Sequence, residues 1–109
     1  MPQKPYMVRL VGVSHYQDAI RSCAIGSEIK LLHEADNEFD DQAIAAVTLR
    51  GETAGYVPTD SWLRRAVHRD GFGASARVDQ IGKGDGDNFG LRLEVTLEDG
   101  PIGQRENAG

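Results

Sequence analysis

Leu91-Arg92-Leu93-Glu94-Val95-Thr96-Leu97-Glu98 alternates apolar and polar side chains without a break. A period of two puts the leucines and Val95 on one face of an extended chain and the charged residues and Thr96 on the other. The segment is therefore a strand with one face on a core. Upstream, Ala74–Ile81 reads as a second strand, joined to the first by the glycine-rich loop Gly82–Gly90. Before it, Trp62, Leu63, Ala66 and Val67 form an apolar stripe at helical spacing, which predicts a core-facing helix from an N-cap at Thr59 or Asp60 to about Arg69. Gly71 stops that helix, and Pro58 ends the strand Thr53–Val57 ahead of it. Thr53–Val57 pairs with Ala43–Leu49 as a hairpin through Arg50-Gly51-Glu52. Further toward the N-terminus come a polar loop, Glu34–Asp41, a strand at Glu28–Glu34, a short helix at Asp18–Ala24 and a first strand at Met7–Val13.

This gives about six short strands and two small helices with no βαβ rhythm. Strands of that length and number resolve their unpaired edges by curling on themselves, so the expected fold is mainly β, a small partly open β-barrel. Residues 1–98 form the domain, and the polar segment 99–109, with its Gly and Pro, is expected as a flexible tail.

The chain has 109 residues, enough for a single core of modest size. It carries a formal charge of −5, which argues against a protein that coats nucleic acid by summed phosphate neutralisation, yet leaves room for a few local phosphate contacts. No apolar run approaches the ~18 residues that a membrane span needs, and Met1–Tyr6 lacks the apolar stretch of a secretory signal. One cysteine, Cys23, makes no internal disulfide, which fits a reducing compartment; a cytoplasmic protein is expected.

Catalytic patterns find little support. Cys23 lies on the apolar face of its expected helix and reads as an inert thiol. The histidines at 15, 33 and 68 fall in no metal-binding spacing. Asp85-Gly-Asp87-Asn88-Phe-Gly90 begins like a calcium loop, but Phe89 stands where an oxygen ligand is needed and no glutamate closes it. Gly82-Lys83-Gly84 lacks the G-K-[ST] ending of a phosphate loop. The acids Glu34, Asp36, Glu38, Asp40 and Asp41 suit either a solvated turn or, less well, a magnesium-dependent nuclease. Asp40 differs from the others, because it follows Phe39 and directly precedes the Ala43 strand. No catalytic residue, metal or cofactor is assigned. Tyr16, Phe39 and Phe89 lie in or beside polar loops, with His15 next to Tyr16. Loop aromatics on a small barrel are what a single-stranded nucleic-acid binder needs, because every base offers a face for stacking.

Three ordered motifs carry a resemblance: Val11-Gly-Val-Ser-His-Tyr-Gln17; Leu31-Leu-His-Glu-Ala-Asp-Asn-Glu-Phe-Asp40 leading to Ala43-Ile-Ala; and Gly51 with Ala54-Gly-Tyr-Val-Pro58. In order and spacing they are similar to the HIRAN domain, over about residues 6–98. The resemblance implies an OB-like barrel that captures the 3′-hydroxyl end of single-stranded DNA, acting beside a helicase or nuclease in repair or replication-fork processing. It places His15, with Tyr16, and Phe39 as base-stacking groups, Asp40 as the acceptor of the terminal hydroxyl, Phe89 near the penultimate base and Tyr56 near a phosphate. A carboxylate accepts a hydrogen bond from a free hydroxyl and repels a phosphate, so it separates an end from a continuous strand. Ser14 and Thr59 replace basic residues of the family's eukaryotic members, which implies weaker binding unless Arg64, Arg65, Arg69 or Lys83 compensates. A protein-interaction adaptor is the alternative reading. If Asp40 is a ligand group, Asp40→Asn weakens end binding with the fold intact; early melting with normal binding marks it as structural.

Overall fold

A computed structural model of the chain describes residues 5–83 and 88–105. The strands run β1 (Tyr6–Arg9), β2 (Glu28–His33), β3 (Ile44–Val47), β4 (Thr53–Tyr56), β5 (Gly73–Lys83), β6 (Phe89–Glu98) and β7 (Gly103–Gln104), with helices α1 (Gln17–Arg21) and α2 (Trp62–His68). They form one sheet in the order β1-β6-β5-β2-β3-β4, and β7 adds parallel to β2. Beyond β1, Val11 pairs with Tyr56 of β4 through two backbone hydrogen bonds of 2.9 and 3.0 Å. The two ends of the sheet thus meet, and the fold is the expected partly open, OB-like barrel.

The alternation in β6 does what its pattern requires. Leu91, Leu93 and Val95 are fully buried and meet Val78, Ile29, Ile44, Leu63 and Ile20 in the core. β3 differs: Ile44, Ala45, Ala46 and Val47 are all buried, so both faces of that strand are covered and no alternation marks it. Near the closure, β4 passes so close to the N-terminal strand that a Cβ on Gly55 would lie 3.0 Å from the Val11 carbonyl oxygen and 3.1 Å from Leu10 Cβ. Gly55→Ala is expected to destabilise the barrel by about 1–3 kcal/mol, read as a lower midpoint in urea at unchanged slope.

Several details depart from the sequence reading. The cap of α2 is Ser61, whose side chain accepts from the Leu63 N–H, rather than Thr59 or Asp60. Trp62 is 40% exposed instead of core, because it falls at the first position of α2 and lies against Tyr6 of β1, ring centroids 4.2 Å apart. The β5–β6 hairpin is longer than expected and takes Gly82, Lys83, Phe89 and Gly90 of the glycine-rich loop into its strands; Gly84, Asp85, Gly86 and Asp87 lie outside the described residues. The segment after Glu98, expected as a flexible tail, returns to the barrel at least as far as Arg105. Ile102 is buried in the core, β7 pairs with β2, and Arg105 bonds to Glu34 at 2.9 Å. Residues 106–109 lie outside the described residues. Among the described residues no helix is long and apolar enough to cross a membrane.

Candidate nucleic-acid interface

Gly12, in the left-handed region at φ 71°, turns the chain out of the first strand into a one-turn 3-10 helix, Val13–His15. His15 is exposed there, and its ring lies 6.2 Å from that of half-buried Tyr16 in an edge-on arrangement. Tyr16 in turn sits 6.1 Å from Tyr56. His15 and Tyr16 border an open cleft of about 470 Å³ between the 14–19 segment and the start of β4.

Gln17 ties the hairpin to this loop. Its amide donates to the carbonyls of Val13 at 2.8 Å and Phe89 at 3.0 Å, while its carbonyl accepts from the Phe89 N–H at 2.8 Å. One side chain therefore satisfies both backbone groups of Phe89 and ties this residue, 42% exposed, to the segment that follows the His15–Tyr16 turn. Sequence reasoning missed Gln17, since its partner lies 72 residues away.

A second chain of contacts starts at Tyr56. Its hydroxyl donates to Glu34 Oε1 at 2.9 Å; burial and that carboxylate push its pKa far up, so it stays a donor. Glu34, 4% exposed, also accepts from Asn37 Nδ2 at 3.0 Å and from Arg105 Nη1 at 2.9 Å. Asn37 Oδ1 accepts from the N–H groups of Phe39 and Asp40 at 2.9 and 3.0 Å, which shapes the turn that presents both. Phe39 is 95% exposed. The sequence reading set Asp40 apart from the acids of 34–41 but left Glu34 among the others, as part of a solvated turn or a metal site. Glu34 is instead a buried structural group, and among the described residues these acids form no set of metal-ligating side chains.

Asp40 is held in a fork. Arg64 Nη1 donates to Oδ2 at 2.8 Å and Nη2 to Oδ1 at 2.9 Å, and Oδ1 also accepts the Gln42 N–H at 3.0 Å. Burial opposes ionisation, but the Gln42 N–H and the Arg64 guanidinium outweigh it and keep the carboxyl below its ordinary range. Two carboxylate oxygens offer about four acceptor positions. Three are occupied, and one on Oδ2 is left. The Arg64 side chain is largely covered, 12% exposed, and lines a depression of about 490 Å³ with Arg65, His68 and Arg69. His33 and His68, ring centroids 4.5 Å apart, donate through Nε2 to the carbonyls of Asp41 and Gln42 and brace the same turn.

The six residues singled out in the sequence thus fall into one connected region, with two kinds of neighbourhood. His15, Tyr16, Tyr56 and Phe89 surround the first turn, while Phe39 and Asp40 stand on the second turn beside the cationic face of α2.

Two solved structures share this architecture. The HIRAN domain of human HLTF superposes with a TM-score of 0.63 at 16% identity, over 86% of this chain and 74% of that one. A protein from Lactobacillus plantarum superposes with a TM-score of 0.61 at 17% identity, over 84% of this chain and 94% of that one. No curated protein matches the sequence significantly. The family model of the HIRAN domain matches residues 6–97, which include every residue of both turns, and supports a nucleic-acid-binding domain rather than a catalytic one. The chain belongs to the HIRAN domain family.

Proposed function

We propose that this domain captures the 3′-hydroxyl end of single-stranded DNA, and that it presents such ends to a helicase or nuclease in repair or fork processing. The observation that carries the reading is Asp40. Its carboxylate is ionised, fixed in direction by Arg64 and Gln42, and keeps one acceptor position beside a fully exposed aromatic ring. A terminal hydroxyl donates to that position, the terminal base stacks on Phe39, and His15 and Phe89 stack on bases nearby. A 3′-phosphate offers no donor there and meets the charge of Asp40. Arg65 and Arg69, which line the adjacent depression, supply local positive charge that Ser14 and Thr59 do not, while Arg64 is committed to Asp40.

Fluorescence anisotropy at low salt tests the reading, with a 5′-labelled single strand ending in a 3′-hydroxyl, the same strand ending in a 3′-phosphate, and a blunt duplex. Selective binding of the free hydroxyl is expected. Equal affinity for all three removes end capture, and no binding to any moves the function to a protein partner. Phe39→Ala and Phe89→Ala are each expected to lower affinity by on the order of 1–3 kcal/mol. For Phe39, whose ring is 95% exposed, the thermal midpoint should be unchanged; a variant that binds normally takes its ring out of the site.

A further inference from the structure

Across the Gly12 turn from the His15–Tyr16 cleft lies a separate groove of about 590 Å³, bordered by Arg9, Gly12, Pro58, Gly82, Gly90 and Arg92. Its floor follows from strand register. Gly82 of β5 pairs with Gly90 of β6, Gln80 pairs with Arg92, and Arg92 pairs on its other side with Arg9 of β1. Residues alternating along β6 share a face, so Gly90 and Arg92 stand on the same outer surface as Gly82, Gln80 and Arg9. The surface is bare backbone at one end and two arginines at the other.

Like charges directly opposed across an antiparallel pair are destabilising, so the Arg9–Arg92 pairing needs a counter-charge. Arg92 has one: the register slip between Val78 and Gln80 frees Asp79, which holds its guanidinium at 2.7 and 2.8 Å. Arg9 is exposed and makes no ion pair among the described residues. At the hairpin end Lys83 lies opposite Phe89 and borders the same groove. From Phe89 to Arg92 the strand advances about 10 Å. Cations at both ends of that span match a ligand with several spaced negative charges rather than a lone phosphate.

We infer that this groove is a second, sequence-independent site that carries the sugar-phosphate backbone of a single strand away from the captured end, with Gly82 and Gly90 allowing close approach and Arg9 and Lys83, whose charges are not spent on an ion pair as that of Arg92 is, neutralising phosphates. The inference rests on the end-capture reading for the direction of the strand. Binding then increases with length beyond the terminal nucleotides, as in OB folds whose sites span ~4–16 nucleotides.

The test compares 5′-labelled single strands of about 3 and about 10 nucleotides, each with a 3′-hydroxyl or a 3′-phosphate, on the full chain and on Arg9→Ala and Gly82→Leu. A Cβ at Gly82 meets nothing within 4 Å and its backbone is not in the left-handed region, so the leucine fills the groove without disturbing the fold. The longer strand is expected to bind at least about tenfold tighter, and both variants to remove most of that gain while leaving the short strand's affinity and its hydroxyl preference intact. Arg9→Ala should also flatten the dependence of log affinity on log salt by about 0.7, the value for one phosphate contact on a single strand. Equal affinity for both lengths, or variants that keep the full gain, overturns the groove and leaves end capture standing. A gain that depends on the groove but ignores the 3′ group keeps the groove and overturns end capture. No binding at either length overturns both.

Discussion

Arg105→Met is expected to destabilise the domain by about 3 kcal/mol, although residue 105 belongs to the segment that the sequence presents as a tail. Glu34 is buried to 4% exposure, and Arg105 is its cationic partner among the described residues, at 2.9 Å. The same guanidinium donates to Thr53 Oγ1 at 2.6 Å and to the Gly51 carbonyl at 3.3 Å, so it also pins the β3–β4 turn. Without it a carboxylate stays in the interior with only Tyr56 and Asn37 as donors, and an unpaired buried charge costs far more than the intact pair contributes. The paired variant Glu34→Gln/Arg105→Met removes that charge while keeping an acceptor for Tyr56 and Asn37, and is expected to recover at least half of the loss. Truncation after Asp99 takes away Ile102 and β7 as well. Its thermal midpoint should fall by more than about 15 °C. A truncated chain that melts within about 2 °C of the full one shows that the return of the C-terminal segment contributes nothing.

Asp40→Asn is expected to weaken binding of a 3′-hydroxyl end by roughly 10–100-fold, the value of a hydrogen bond to a charged acceptor, and to lower stability by about 2 kcal/mol. The two effects were alternatives on sequence grounds. The Arg64 fork makes them concurrent, because one carboxylate both anchors α2 and offers its last acceptor position outward. Arg64→Met separates them: it should cost similar stability and retain the hydroxyl preference, since Asp40 keeps its charge. Acid provides a second check. A carboxyl whose folded pKa is lowered contributes stability that is fully present above its unfolded value and is lost as pH falls through the folded one. The wild type should therefore lose stability below the ordinary carboxylate range more steeply than Asp40→Asn. Parallel acid titrations of the two proteins would remove the fork from the account.

How far the sequence carries depends on the range of each interaction. Strand β6 was legible because its periodicity is local and one of its faces meets the core. Strand β3, covered on both faces, carried no such period and read only as an alanine-rich, β-like stretch. The 99–105 segment looked disordered because its polar, glycine-containing composition hides a single buried isoleucine and an arginine whose partner lies 71 residues away. The candidate site divides in the same way. Its aromatics and Asp40 stood out as loop residues in ordered motifs, whereas the groups that hold them did not. Gln17 acts on Phe89, Arg64 on Asp40, and Glu34 on Tyr56 across long loops of chain. Arg64 reads in the sequence as part of a solvated helix face, and only the packing of α2 against the 34–42 turn gives it a partner.

The central claim concerns one hydrogen bond, so the most direct measurement removes one atom of the ligand. A single-stranded oligonucleotide with a dideoxy terminus differs from its parent only in that a hydrogen replaces the 3′-hydroxyl, a net loss of one oxygen. Titrated against the wild-type chain, it is expected to bind at least about tenfold more weakly than the hydroxyl form, and Asp40→Asn should bind the two alike. Equal affinities for the wild-type chain would contradict capture of the 3′-hydroxyl by Asp40.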